Sequence, residues 1–167
     1  MTHSQFQDLF NLDGKTAIVT GGAGIQGPRV GMGLAAHGCN VALVDLDLNG
    51  ANVASQAICD QWEDRAAAFR CDVSKPDSVN AMVKAVINKF GTVDILHNNA
   101  ASKSRNVKDF FAPFEEFKFE TWREIMDVNL DGMFLVAQAV VCQMIAQKTG
   151  GSIIQTSSTY GLVGPDP

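Results

Sequence analysis

Basic residues are too few and too scattered in this sequence to line a phosphate backbone. Thirteen lysines and arginines stand against 18 aspartates and glutamates, for a net charge of −5. The electrostatic footprint of a nucleic-acid binder is therefore missing, and no acidic tail replaces it. No apolar run approaches the ~18 residues that cross a bilayer, and Met1–Phe10 lacks the basic stretch and apolar core of a signal peptide. A cytoplasmic protein with no membrane partner is expected. Cys39, Cys59, Cys71 and Cys142 are widely separated, with no C-x-x-C pair, and His3, His37 and His97 form no ligand cluster. This spacing speaks against a metal site, and the cysteines read as small buried hydrophobes. Internal repeats and low-complexity linkers are also missing.

What remains is a chain of 167 residues with 46% hydrophobic content, enough for one core. Short β-branched runs alternate with long amphipathic stretches, the pattern of βαβ units around a parallel sheet. The spacing predicts strands over Thr16–Thr20, Asn40–Val44, Ala66–Cys71, Val93–His97 and Ser152–Thr156. Helices are predicted over Gly27–His37, Asn49–Glu63, Pro76–Phe90 and Thr121–Lys148. His37-Gly38 reads as a helix end followed by its left-handed glycine, and Asp, Asn or Ser residues precede the second and third helices as candidate caps. Right-handed crossovers then give an α/β fold with a doubly wound parallel sheet. The expected division is an N-terminal extension over residues 1–11 and one nucleotide-binding domain over 12–167.

The first strand feeds directly into Gly21-Gly22-Ala23-Gly24-Ile25-Gln26-Gly27. Such a turn lets the main chain approach a pyrophosphate without Cβ clashes, and the helix that follows offers unpaired N–H groups and a positive dipole end. Asp45 closes the next apolar run, close to the offset of about 20 residues at which a carboxylate accepts hydrogen bonds from the adenosine ribose. Facing a 2′-phosphate at ~4 Å, that carboxylate would be repelled by about 1–4 kcal/mol per charge pair. NAD is therefore the expected cofactor. The competing role for an aspartate here, capping the following helix, is open to Asp47.

Ser102–Glu120 fits neither period. Its phenylalanines, Phe110, Phe111, Phe114, Phe117 and Phe119, are interrupted by Pro113 and Glu115-Glu116, so it reads as an ordered loop whose rings pack on the surface or at a subunit contact. The helix after it is apolar around much of its circumference, through Ile125, Met126, Val128, Leu130, Met133, Phe134, Leu135, Val136, Val140 and Met144. With Ala139 also on its apolar surface, it expects neighbours on several sides.

Taken together, these residues resemble the short-chain dehydrogenase/reductase family from Leu12 to Pro165. Besides the glycine loop and Asp45, the resemblance is carried by Cys71-Asp72-Val73, by Asn98-Asn99-Ala100-Ala101, by Met126-Asp127-Val128-Asn129, and by Gly151-Ser-Ile-Ile-Gln-Thr-Ser157-Ser158. It implies cofactor contacts from Gly21, Gly24, Ile25, Gln26, Gly27, Asp45, Leu46, Asp72, Val73, Asn99, Ala100 and Thr156. Asp72 is implied to meet the adenine amino group, and Asn99 and Ala100 to lie beside the ribose. It further implies that Ser158 hydrogen-bonds the substrate carbonyl and that Asn129 supports a proton relay through a local helix distortion; strand alternation then turns Ser157 toward structural neighbours. Two departures are small: Ile25 stands where a middle glycine is usual, and Ala101 replaces a glycine.

A third departure concerns chemistry. The family's proton donor is a tyrosine about thirteen residues after the serine, with a lysine four residues beyond it. The one tyrosine here, Tyr160, follows Ser158 by two, Gly164 occupies the lysine place, and a Tyr-Gly pair shapes a turn instead. A phenol of ordinary pKa ≈ 10 is a poor acid–base catalyst near neutrality without a neighbouring cation. The expectation is the N-terminal portion of an NAD-dependent oxidoreductase, truncated after the fifth strand and inactive alone, whose complete form interconverts a secondary alcohol and a carbonyl, with a sugar or polyol as substrate. A 3-oxoacyl-thioester reductase and a non-catalytic dinucleotide-binding module are the alternatives. A homodimer or homotetramer is the implied assembly.

Overall fold

The computed structural model describes residues 9–158 and 161–162. Among the described residues five parallel strands form one sheet: β1 Thr16–Thr20, β2 Asn40–Asp45, β3 Ala66–Arg70, β4 Ile95–Asn98 and β5 Ser152–Gln155. Their order is β3-β2-β1-β4-β5. The chain therefore reverses its direction of winding between β1 and β4, the place where an open α/β sheet leaves a crevice. Helices α1 Gly27–Ala36, α2 Leu48–Cys59 and α3 Pro76–Phe90 connect the first four strands.

Strand alternation divides the core into two layers. Ile18, Ala42, Val44 and Leu96 point to one face, where Val79, Met82, Val83 and Val86 of α3 meet Val136, Val140 and Met144. Val19, Val41 and Leu43 point to the other and pack on Ala35 of α1 and Ile58 of α2. Both ends of the sheet are pinned by polar groups. At the lower end, Thr16 N–H donates to Asp94 Oδ2 at 3.0 Å and Lys15 Nζ lies 3.2 Å from Asp94 Oδ1. Arg65 ties the α1–β2 turn, donating to the Gly38 carbonyl and to Asp13 Oδ1.

Strand expectations hold to within one or two residues. β4 starts at Ile95 rather than Val93, because Asp94 is occupied in joining β1, β4 and β5: its N–H donates to Thr16 O and its carbonyl accepts from Ser152 N–H. The cap expectations divide. Asp47 accepts from the amides of Asn49 and Gly50 and caps α2, whereas α3 starts after Lys75 with no side-chain cap, Pro76 removing one N–H that would need it. The predicted end of α1 is present, with His37 at the C-cap and Gly38 at φ +90°.

Ser102–Glu120 is not wholly a loop. It holds a short helix α4, Val107–Phe110, a 3₁₀ turn at Phe114–Glu116, and the start of α5, Phe119–Met126. Phe111, Phe114 and Phe119 are exposed, and Phe110 and Phe111 stack edge-on. The predicted helix Thr121–Lys148 is three pieces in one continuous path: α5, a π-helical segment Asp127–Gly132, and α6 Met133–Gln147. This stretch corrects the reading that the chain has no apolar segment of bilayer length. Phe119–Gln147 spans 29 residues and contains an 18-residue window of mean hydropathy 1.5, long and apolar enough to cross a membrane by length and composition only. Its Val136, Val140 and Met144 nevertheless belong to the core.

The cysteine expectation also needs correction. Cys39 and Cys71 are buried, Cys59 is half-buried and Cys142 is exposed. Burial first, then the nearby Asp94 carboxylate, pushes the Cys39 thiol up to about 12; burial likewise raises Cys71. Native-state alkylation near neutral pH is expected to modify Cys142 well before Cys39, as read by peptide mass spectrometry. Leu96 is fully buried and Ile25 is 85% exposed. Leu96→Ala is expected to cost about 2–5 kcal/mol in a urea titration, and Ile25→Ala less than about 0.5 kcal/mol.

Candidate functional site at the strand switch point

At the upper end of β1 the chain turns through Gly21, at φ +73°. Gly22 N–H donates to Val44 O at 3.0 Å and Gly24 N–H to Gly21 O at 3.1 Å, closing a tight turn before α1. Gly27, the first residue of α1, packs directly on it: a Cβ there would lie 2.2 Å from Gly21 O, so no other residue fits without opening the loop. Gln26 supplies no side-chain cap and Pro28 follows. The start of α1 thus keeps orphan amides and a positive dipole end, uncapped by any side chain of the loop.

Asp45 ends β2 beside this turn. Its Oδ2 accepts from Ala23 N–H at 2.9 Å and its Oδ1 from Asp47 N–H at 3.0 Å. Each oxygen keeps a further lone pair. Two amides therefore hold the carboxylate in place while it retains acceptor capacity. Asp72 is held similarly, its Oδ1 accepting from Ser74 N–H and, at 2.6 Å, from Ser74 Oγ–H.

Between these strand ends and α5 lies a cleft of about 850 Å³, within the range of small-molecule and cofactor sites. Gly21, Asp45, Leu46, Asp72, Val73 and Ala100 from the expected set line it. Phe119 and Val128, which the sequence reading did not assign to the site, contribute to its apolar lining, with Arg123 and Glu124 among its charged groups. The remaining expected residues do not line it. Gly24, Ile25, Gln26 and Gly27 belong to the adjoining turn, with Ile25 facing outward. Asn99 and Thr156 follow β4 and β5 and touch one another, Thr156 Oγ–H donating to Asn99 Oδ1 at 3.3 Å.

Asn129 lies inside the π-helical segment, where the resemblance implies a distortion. Its side chain pairs twice with Ser102: Oδ1 accepts from Ser102 N–H at 2.7 Å and Nδ2 donates to Ser102 O at 3.1 Å. Asn129 therefore fastens the segment after β4 to the long helix. Ser158 sits beyond β5, its carbonyl accepting from Gly161 N–H at 2.9 Å. Among the described residues, Ser157 is not turned toward structural neighbours. β5 ends at Gln155, strand alternation stops there, and both serines are exposed. Tyr160 and Gly164 lie outside the described residues, as does His3.

Two residues that sequence reasoning left out hold the site together. Thr20 Oγ accepts from Asn99 N–H at 2.8 Å and Ala100 N–H at 2.9 Å, and donates to Asn98 Oδ1 at 3.2 Å. Asn98 Nδ2 donates to Met133 O at 2.7 Å, at the start of α6. The available signal was a polar residue at the end of each of two otherwise apolar strands.

A family model described as short chain dehydrogenase matches residues 15–166. The chain is 36% identical over 156 residues to a 2,5-dichloro-2,5-cyclohexadiene-1,4-diol dehydrogenase of Sphingobium indicum, covering 93% of this chain and 59% of that protein. It is 37% identical over 158 residues to a D-threitol dehydrogenase of Mycolicibacterium smegmatis, covering 94% and 57%. Among solved structures, an NAD⁺-bound xylitol dehydrogenase superposes with a TM-score of 0.83 at 30% identity, over 92% of this chain and 56% of that one. The chain thus spans rather less than two thirds of the curated relatives it matches. With a family match running from the strand before the glycine turn to past β5, and this sheet order beneath it, the chain belongs to the short-chain dehydrogenase family.

Proposed function

We propose that this chain is the NAD-binding portion of an oxidoreductase that interconverts a secondary alcohol and a carbonyl, with a polyol or sugar-like substrate. The observation that carries the reading is Asp45, held by Ala23 N–H and Asp47 N–H at the rim of the cleft. A carboxylate fixed there can accept from both ribose hydroxyls and repels a 2′-phosphate.

The residues fit the dinucleotide. Gly27, without a Cβ, lets the start of α1 pack directly on the Gly21 turn, and the uncapped amides suit a pyrophosphate. Leu46 and Val73, which line the cleft, would give the adenine an apolar slot, and Asp72 would meet its amino group. Asn99 and Ala100 would set main chain beside the cofactor ribose, with Thr156 next to them. When bound, the nicotinamide supplies the hydride chemistry. Of the chain's own groups, Ser158 donates a hydrogen bond to the substrate oxygen, and Asn129 keeps the π-helical segment fixed to Ser102 so that a proton path can run along it.

The substrate class is supported by the D-threitol and xylitol dehydrogenases among the similar proteins. The acyl-thioester alternative draws support from 32% identity over 153 residues to a 3-oxoacyl-[acyl-carrier-protein] reductase of Staphylococcus epidermidis. A cytoplasmic location and a homodimer or homotetramer complete the proposal.

In an NADH fluorescence titration the chain is expected to bind NADH at least about tenfold more tightly than NADPH. Asp45→Ala should remove that preference; if it persisted, Asp45 would not be the ribose ligand. The single tyrosine, Tyr160, has Gly164 rather than a lysine four residues later. These 167 residues are therefore expected to bind NADH without turning over polyols. Sustained NAD-linked absorbance change with D-threitol or xylitol would show that another group serves as the acid.

A further inference from the structure

His97 stands on β4 between Val19 of β1 and Ile154 of β5, outside the set of residues read as catalytic or cofactor-binding. Its Nε2 lies 3.3 Å from Thr156 Oγ, and its Nδ1 is buried with no hydrogen-bond partner among the described residues. Thr156 Oγ–H in turn donates to Asn99 Oδ1 at 3.3 Å, and Asn99 Nδ2 donates to Thr20 O at 3.3 Å.

We propose that His97 is a positioning residue of the dinucleotide berth: acting through Thr156, it fixes the side-chain amide of Asn99, on which the first turn of the glycine loop rests. The inference depends on the reading of that berth given above. The contact with the loop is close. Asn99 Nδ2 donates to the Thr20 carbonyl directly before Gly21, and a Cβ on Gly21 would lie 3.1 Å from Nδ2 and 3.3 Å from Ala100 Cα, so the amide sits tight against the turn.

The direction of the chain follows from donor counting. A hydroxyl has one proton. Because Thr156 gives its proton to Asn99, it must accept from His97, which requires the tautomer with hydrogen on Nε2. The other tautomer would strand a buried Nδ1–H and leave Asn99 Oδ1 without its donor. A buried acceptor without a partner is the lesser cost, since the orphaned N–H is the rarer case in folded proteins. Burial also lowers the His97 pKa, which keeps the ring neutral and the relay in one arrangement. The amide of Asn99 is thus set from both ends, its oxygen by Thr156 and its nitrogen by the Thr20 carbonyl.

Three measurements test this. Long-range ¹⁵N–¹H NMR of the ligand-free chain is expected to show His97 neutral at pH 7 with its proton on Nε2; a proton on Nδ1 overturns the relay. NADH titration is expected to show His97→Leu binding about fivefold more weakly, the loss of one net hydrogen bond. His97→Gln, whose amide nitrogen replaces the Nε2 donor, should recover to within about twofold. Thr156→Val should match His97→Leu, and the double variant should lose no more than either alone, because the two act in series. Wild-type affinity in His97→Leu, or no rescue by His97→Gln, overturns the proposal. If the unaltered chain failed to bind NADH, the fault would lie with the function assigned to the berth. The relay would then be decided by the tautomer, and by whether the Asn99 side-chain amide resonances shift in His97→Leu and return in His97→Gln. Should His97→Leu not fold, the tautomer and the Thr156→Val titration decide alone.

Discussion

A single hydroxyl, that of Thr20, closes the junction on which the site is built. It accepts the two successive amides of Asn99 and Ala100 and gives its proton to Asn98, using every hydrogen-bonding capacity it has. β1 and β4 are the two strands between which the winding reverses. Side by side and parallel, they cannot bond each other once both chains leave the sheet, yet their ends are buried. Without Thr20, two part-buried amides would need another acceptor, and an orphan shielded from water would cost about 1–3 kcal/mol. Asn98 carries the same connection onward to the Met133 carbonyl, so sheet, glycine turn and long helix meet around one oxygen atom.

The remaining architecture serves this junction by bringing charge and apolar surface to it from either side. β2 and β3 end in Asp45 and, just beyond β3, Asp72, each carboxylate held by local donors rather than by a cation. The cleft therefore presents fixed acceptors above an apolar floor. Asn129 links the opposite wall to Ser102 with a two-point amide contact. A π-helical turn is costly in an isolated helix, and its position at Asn129 is consistent with π-bulges clustering at functional sites.

The sequence made legible whatever depends on repeating local rules. Alternation of apolar residues located four of the five strands to within a residue, because strands covered on both faces leave little ambiguity of period. Asp47 as the cap of α2 and Gly38 at the end of α1 were readable for a similar reason, each residue type having a specific backbone task. What could not be read lacked periodicity or crossed long distances. α4 has four residues, too few to show a helical repeat, and the π-helical segment changes the turn of the helix without changing its composition. The placement of Ser157 failed because alternation was carried past Gln155, where β5 ends. Thr20 and Asn98 were invisible as a pair, being 78 residues apart and joined only by the sheet. Phe119 looked like a surface ring of an irregular loop; only the approach of α5 to the strand ends sets it in the cleft.

The tethering of Asp45 by two amides has a consequence for how selectivity would arise under the proposed function. A carboxylate already anchored by two amides brings little side-chain freedom to be lost on meeting a ligand, so little entropy need be surrendered at that point. The same anchoring prevents retreat. On the proposed reading, an ill-suited nucleotide would meet a negative charge held by two amides, and discrimination would be a matter of exclusion by a rigid wall rather than of adjustment around a welcome guest.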